Sequence, residues 1–440
     1  MDILIKIAQL FLCFTILVGI HELGHFLMAR AFKIRVEKFY IFFDPWFSLF
    51  KFKRSDTEYG LGWLPLGGYV KIAGMIDESM DKEQMKQPVK PDEFRAKPAW
   101  QRLLVMVAGV MMNVLLAIVI YCAVCYTWGD SYFSNQDAKW GYNFNPTAHE
   151  MGFRDGDRFV SIDGEEIDNV MRVQNDLLIT DGGRRVVVER GGEPVTLDIP
   201  FESLLRMRQE KAYEDLFTLR LPFIVDSVSY TSAVEAGLES GDEVVAIDDL
   251  RDADYPRYRD YLQKHKNDKV LLTVRRDGAL IDSLALPVDA EGRIGVTVTN
   301  PYSLRTQYYT FWESIPAGIH KAGKTISSYW DQLKLIVQPK TKMYEELGGF
   351  VAIGSIFPGS WDWHDFWLKT AFLSIILAVM NLLPIPGLDG GHALFTLWEI
   401  ITRRKPSEKF LEVAQYVGLM IILALLVYAN GNDIYRFFIK

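Results

Sequence analysis

His21-Glu22-Leu23-Gly24-His25 closes an apolar run at the start of the chain. Residues 10–20 carry no charge, and only Asp2 and Lys6 interrupt the stretch before them. In a helix the two histidines stand one turn apart on one face. From there both imidazoles can ligate a single zinc ion, with the glutamate between them as base towards water at that ion. The run is long enough to enter a bilayer, where ionisable side chains cost several kcal/mol unless something compensates them. HExxH occurs by chance in soluble chains; at the end of a membrane helix it marks a functional site.

Working outward, the 440 residues allow two or three domains, and 49% hydrophobic with 13% aromatic content indicates a mixed membrane and soluble protein. The net charge of −8 argues against nucleic-acid binding. Cys13, Cys122 and Cys125 all lie in apolar runs, so they read as core thiols and imply no disulfide framework. No small-residue cleavage site precedes the HExxH, so the first segment reads as a retained helix rather than a signal peptide. A bilayer core needs roughly 20 apolar residues. Four segments qualify as spans, at about 4–28, 103–128, 370–388 and 413–429.

Positive loops mark the cytoplasmic side. Arg403-Arg404-Lys405-Pro406-Ser407-Glu408-Lys409 is such a loop, and Arg30, Lys33, Arg35, Lys38, Lys97 and Arg102 give residues 29–102 the same character. Both termini and residues 129–365 then lie outside. Spans one and three run inward together. This brings Pro384-Ile385-Pro386-Gly387-Leu388-Asp389-Gly390-Gly391 to the depth of the two histidines, where Asp389 can meet His21 and His25. Asp389 as a turn residue after the prolines is the other reading.

The outer region repeats itself. Gly152-Phe153-Arg154-Asp155-Gly156-Asp157 with Ile162-Asp163 returns as Gly237-Leu238-Glu239-Ser240-Gly241-Asp242 with Ile247-Asp248, and Glu189-Arg190-Gly191-Gly192 returns as Arg275-Arg276-Asp277-Gly278. Each unit ends in β-branched runs with glycine turns, a hairpin signal, and looks like a PDZ domain. Residues 60–74, glycine-rich and apolar, read as a short hairpin on the side of the HExxH. Residues 308–338 read as an amphipathic helix, either on the membrane surface or packed against the rest.

HELGH, Gly67-Gly68-Tyr69-Val70-Lys71-Ile72-Ala73-Gly74-Met75, Gly109-Val110-Met111-Met112-Asn113, the tandem repeat and Asn381-Leu382-Leu383-Pro384-Ile385-Pro386-Gly387-Leu388-Asp389-Gly390-Gly391 together resemble the site-2 proteases, in their bacterial regulator-of-sigma-E-protease type with two PDZ domains. The resemblance implies a polytopic α-helical membrane protein of four spans with an external all-β or α+β tandem PDZ insertion. Its expected segments are 1–34 (first span with HExxH), 35–101 (cytoplasmic β-hairpin region and loop), 102–129 (second span), 135–200 and 220–299 (PDZ domains), 300–365 (linker with the amphipathic helix), 366–402 (third span with Leu-Asp-Gly) and 410–432 (fourth span). It implies a zinc endopeptidase that cuts transmembrane segments of membrane-anchored proteins such as anti-sigma factors, or remnant signal peptides. The setting would be the bacterial cytoplasmic membrane, with lipid around the spans and no nucleic acid as partner. His21, His25 and Asp389 would bind Zn2+, Glu22 would be the base, and Asn381, Gly67, Gly68 and Tyr69 would bind substrate. Asn381 and Asn113 also read as helix-packing polar residues. Phe350 in Gly348-Gly349-Phe350-Val351-Ala352-Ile353-Gly354 stands where the family usually has proline. Two other readings stay open: a PDZ membrane scaffold with a dead site, and a membrane zinc protease of another HExxH family.

Overall fold

Almost uninterrupted apolar sequence leaves the backbone no polar partner but itself in lipid, so such segments form helices. The first does so as α1 (Asp2–Ala31). The computed structural model describes residues 2–64, 67–75, 88–213, 215–252 and 254–436. The chain divides into two units, Met1–Asp130 with Gln307–Lys440, and Ser131–Thr306.

The first unit carries, after α1, four short strands: β1 (Val36–Ile41), β2 (Phe50–Arg54), β3 (Thr57–Leu61) and β4 (Tyr69–Ile72). The helices α2 (Ala99–Trp128), α3 (Phe311–Val337), α4 (Phe350–Ser355), α5 (Trp363–Leu382), α6 (Asp389–Thr402) and α7 (Glu408–Ile434) complete it. Four of them, α1, α2, α5 and α7, are long and apolar enough to cross a membrane. Helices α1 and α2 touch backbone to backbone: a Cβ on Gly24 would lie 2.5 Å from the Ala108 carbonyl oxygen. A capping box formed by Thr310 and Glu313 starts α3. Its stripe of Ala322, Ile326, Tyr329 and Leu333 packs on Ala117, Ile120, Tyr121 and Val124 of α2 and on Ala371 and Ile375 of α5. Of the two readings left open for this helix, the structure therefore carries a packing contact, while Trp312 and Trp330 stay exposed.

The third apolar segment does not run through to Leu388 as one helix. Pro384 and Pro386 cannot continue it. Helix α5 stops at Leu382, Leu383 is extended (φ −60°, ψ 143°), and α6 begins at Asp389 after the N-cap Leu388. Nor do residues 60–74 form a hairpin with each other. The sheet order is β2-β3-β1-β4, so β3 and β4 flank β1 from opposite sides, β3 parallel and β4 antiparallel to it. The hairpin in this region is β2–β3. Glycines that read as turn signals serve close approach instead: a Cβ on Gly60 would run into the Tyr40 ring, and one on Gly62 into the carbonyls of Phe42 and Phe43. Pro65 and Leu66 lie outside the described residues. Among the described residues nothing pairs with β4 on its far side.

The second unit holds two sheets, each over its own core. The first is built on β5 (Arg158–Ile162), β6 (Arg184–Arg190) and β7 (Glu193–Ile199), around Phe144, Phe153, Phe159, Val186 and Val188. The second runs β11-β10-β9-β8-β12, with β8 (Phe223–Val228), β9 (Glu243–Ile247), β10 (Lys269–Arg276), β11 (Ala279–Pro287) and β12 (Val296–Val298), over Phe223, Val244, Tyr258 and Val270. The repeat has a structural cause. Asp157 takes two 2.7 Å hydrogen bonds from Arg190, which also reaches the Gly152 carbonyl at 2.8 Å. Asp242 takes two 2.7 Å bonds from Arg276, which reaches the Gly237 carbonyl at 2.7 Å. Each carboxylate also accepts a backbone N–H, from Arg154 and from Glu239, at 2.9 Å. Both aspartates are buried. The halves are joined by Trp140 donating to Glu243 (2.6 Å) and Asn143 donating to Asp254 (2.6 Å).

Candidate metal centre

Helix α1 places His21 and His25 on its buried face, as the i, i+4 spacing requires, with Glu22 beside them. The break between α5 and α6 sets Asp389 at the first turn of α6. Asp389 Oδ2 lies 3.1 Å from His21 Nε2 and 3.2 Å from His25 Nε2, and the two Nε2 atoms are 3.3 Å apart. Zinc–nitrogen and zinc–oxygen bonds of about 2.0–2.1 Å in a tetrahedron put ligand atoms about 3.3 Å from one another. The three atoms thus already have the spacing of ligands around one cation. Asp389 Oδ2 is buried and has no hydrogen bond of acceptable direction despite its short distances, as expected of an atom aimed at a point between the rings. Among the described residues His21, His25 and Asp389 form the group able to hold a metal. The donor set, two imidazoles and a carboxylate, suits zinc with one position left open.

The shape of the site depends on glycines. A Cβ on Gly109 would strike both imidazoles, so α2 can pass beneath the ligands only with no side chain there. A Cβ on Gly390 would meet the Leu382 and Leu383 carbonyls, and one on Gly391 would meet Ile385 and Pro386. These two glycines let α6 fold back against the end of α5. Gly387 has φ +102°, a backbone region that glycine favours.

His25 Nδ1–H donates to the Val105 carbonyl at 2.8 Å, which leaves its Nε2 lone pair free. The Asn113 amide lies 3.2 Å from His21 Nδ1, and Asn381 Nδ2 lies 3.3 Å from His21 Nε2. A cavity of about 530 Å³ opens at the ligands. Its walls bring together all eight residues singled out in the sequence, His21, Glu22, His25, Gly67, Gly68, Tyr69, Asn381 and Asp389, with Phe43, Leu377 and Gln415. Gly68 packs so near that a Cβ would lie 3.1 Å from Glu22 Cγ and 2.7 Å from the Tyr40 carbonyl oxygen. The Tyr69 ring stacks on Tyr40 (5.2 Å) and Phe43 (6.1 Å), and its hydroxyl donates to Asp44 at 3.0 Å. His392 lines the cavity but stands outside the ligand group. Sequence reasoning missed the contact of Asn113 with His21 and the place of Gly109 beneath both rings. The signal was the spacing 105, 109, 113, one residue per turn along α2. Phe350 begins α4, and its N–H donates to Asn430 Oδ1 at 3.3 Å, a bond proline could not make; Val351 and Ala352 donate to Asp433 at 2.9 and 3.0 Å.

Residues 9–425 match the family described as Peptidase family M50. Relatives run along nearly the whole chain. A protein of Clostridium perfringens named "putative zinc metalloprotease" is 30% identical over 427 residues, 96% of each chain. One of the same name in Vibrio cholerae is 29% identical over 462 residues, 99% of each. The regulator of sigma E protease of Haemophilus influenzae is 27% identical over 460 residues, covering 99% of this chain and 100% of that protein. Four apolar helices accord with an integral membrane protein. The chain belongs to peptidase family M50, the site-2 proteases, and is a zinc metalloprotease of that family.

Proposed function

We propose that the protein hydrolyses peptide bonds within transmembrane segments of membrane-anchored substrates, with His21, His25 and Asp389 as zinc ligands and Glu22 as general base. The observation that carries this reading is the convergence of three ligand atoms at 3.1–3.3 Å on the wall of a cavity that Glu22 shares. Zinc bound there would supply a Lewis acid and bring the pKa of water to roughly 7. Glu22 takes the proton of the attacking water and delivers it to the leaving amine. Asn381 holds the substrate beside His21. A substrate helix hides its peptide bonds and must be drawn out before attack. The edge of β4 that has no strand partner among the described residues, reached through Gly67, Gly68 and Tyr69, binds it as an added strand.

Residues 135–200 and 220–299 act as PDZ domains that keep out substrates whose external domains have not yet been trimmed. As the family resemblance implies, the substrates include anti-sigma factors, with remnant signal peptides as a second class; a relative named regulator of sigma E protease supports the first. The enzyme works in the bacterial cytoplasmic membrane, the HExxH near the cytoplasmic face and residues 129–365 outside. Cysteines introduced at Asp249 and Lys405 should react from opposite sides of the membrane; labelling of both from one side rejects that orientation. Replacing the base tests the mechanism: Glu22→Gln keeps the ligands, so it should retain zinc yet lose at least ~10² in rate and co-purify with uncut membrane peptides. Near-normal cleavage by this variant removes Glu22 from the mechanism. A wild-type protein that purifies without zinc would favour the dead-site scaffold instead.

A further inference from the structure

Helix α2 meets the two histidines with three residues spaced one turn apart. The Val105 carbonyl lies at His25 Nδ1 (2.8 Å), bare Gly109 sits beneath both rings, and the Asn113 amide lies at His21 Nδ1 (3.2 Å). For His25 the roles are fixed, because a carbonyl can only accept. Nδ1 therefore holds the proton and Nε2 keeps its lone pair. For His21 they are not, because an amide has a donor end and an acceptor end and fills the same space either way round. With Nδ2 at the ring, His21 Nδ1 must accept. A neutral imidazole would then carry its proton on Nε2, the atom 3.1 Å from Asp389 Oδ2, and could not ligate a cation through it. With Oδ1 at the ring, His21 Nδ1–H donates and the Nε2 lone pair faces the same point as those of His25 and Asp389.

We infer that the Asn113 side-chain oxygen accepts from His21 Nδ1–H. This makes Asn113 a positioning residue that fixes the tautomer and ring plane of His21 for metal binding. The inference rests on the reading of His21 as a ligand through Nε2. Asn113 is held for this task. It is fully buried, and its backbone carbonyl accepts a 2.8 Å hydrogen bond from Ser374 of α5. Helix α2 thus supplies both acceptors, one from its backbone and one from a side chain. Only the second is open to mutation.

The test is the zinc dissociation constant of the full-length protein in detergent, measured by competition with a chelating dye. Asn113→Leu keeps the branching of the side chain, at a larger volume, but removes the acceptor, and should weaken zinc binding by about 10–100-fold. Asn113→Asp is an acceptor only, and should bind zinc at least as tightly as wild type. If the amide instead donates to His21, the aspartate variant weakens binding as the leucine variant does, and the inference is overturned. Wild-type affinity in Asn113→Leu overturns it as well. Imidazole nitrogen NMR of the zinc-free wild type, with both rings neutral, decides the matter without any variant, because no metal then dictates the tautomer. Protons on Nδ1 of both His21 and His25 support the assignment, and a His21 proton on Nε2 defeats it. A wild type that binds no zinc at all would refute the ligand reading itself.

Discussion

Gly109 shows how much of the centre depends on one missing methyl group. Its Cβ would strike His21 and His25 together, and a close-packed interior relieves such overlap only by displacing one of the groups, at about 1–3 kcal/mol. The rings are the groups that give way. Gly109→Ala should therefore lower zinc affinity by about tenfold, roughly 1.4 kcal/mol, while leaving the protein folded; dye competition and a thermal melt read the two effects separately. An alanine variant with unchanged zinc affinity would show that the helix pair has room to spare. At this scale the sequence is legible where chemistry and spacing coincide. His21, Glu22 and His25 announce themselves because a helix turns a four-residue spacing into a shared face. Asp389 was reachable because loop charges put it at the same depth. Asn113 offered only its one-turn spacing from Val105 and Gly109, which shows a shared face of α2 but not which helix packs against it.

The elements show the same division. The breaks around Pro384 and Pro386 could be read from the residues, although the helix ends at Leu382, earlier than hydropathy alone indicates. The strand order near the HExxH could not, since glycines at 60 and 62 look like turn formers and are there to let backbones meet. The repeat is legible as a repeat, and its recurring aspartate and arginine prove to be a buried tie between hairpin and turn. Burial opposes ionisation of Asp242, yet the two hydrogen bonds from Arg276 and the Glu239 N–H outweigh it and hold its carboxyl below the ordinary carboxylate range. A folded-state pKa below the unfolded one means stability that is present at neutral pH and is lost as pH falls through the folded value. Asp242→Asn should remove that acid sensitivity from the second repeat and destabilise it by about 3 kcal/mol. Hydrogen exchange over residues 223–298 in the full-length protein, at pH 7 and in steps below 4, checks both. Equal acid sensitivity of variant and wild type would assign the dependence to other carboxylates.

Over the whole molecule, the residues around the cavity come from α1, β4, α2, α5, α6 and α7 and from the segments that join them, all in the unit made of Met1–Asp130 and Gln307–Lys440. Deleting 135–299 should accordingly leave zinc bound. If the repeats exclude bulky substrates, the shortened enzyme should cut proteins whose external domains normally protect them. If they recruit substrate, cleavage of trimmed and untrimmed forms alike should fall. Comparing full-length and pre-trimmed substrate separates the two, and failure to cut either with zinc still bound ends the gating view. The assembly of the centre from both ends of the chain also sets a clock. The two imidazoles leave the ribosome early, but the carboxylate that completes the trio follows only after the entire inserted unit. At about 5–20 residues per second that interval is roughly 20–70 s. Throughout it, with His21, His25 and Asp389 as the ligands proposed, a nascent protease would have no complete centre, so its neighbours at the site of synthesis would be safe from it until Asp389 is made.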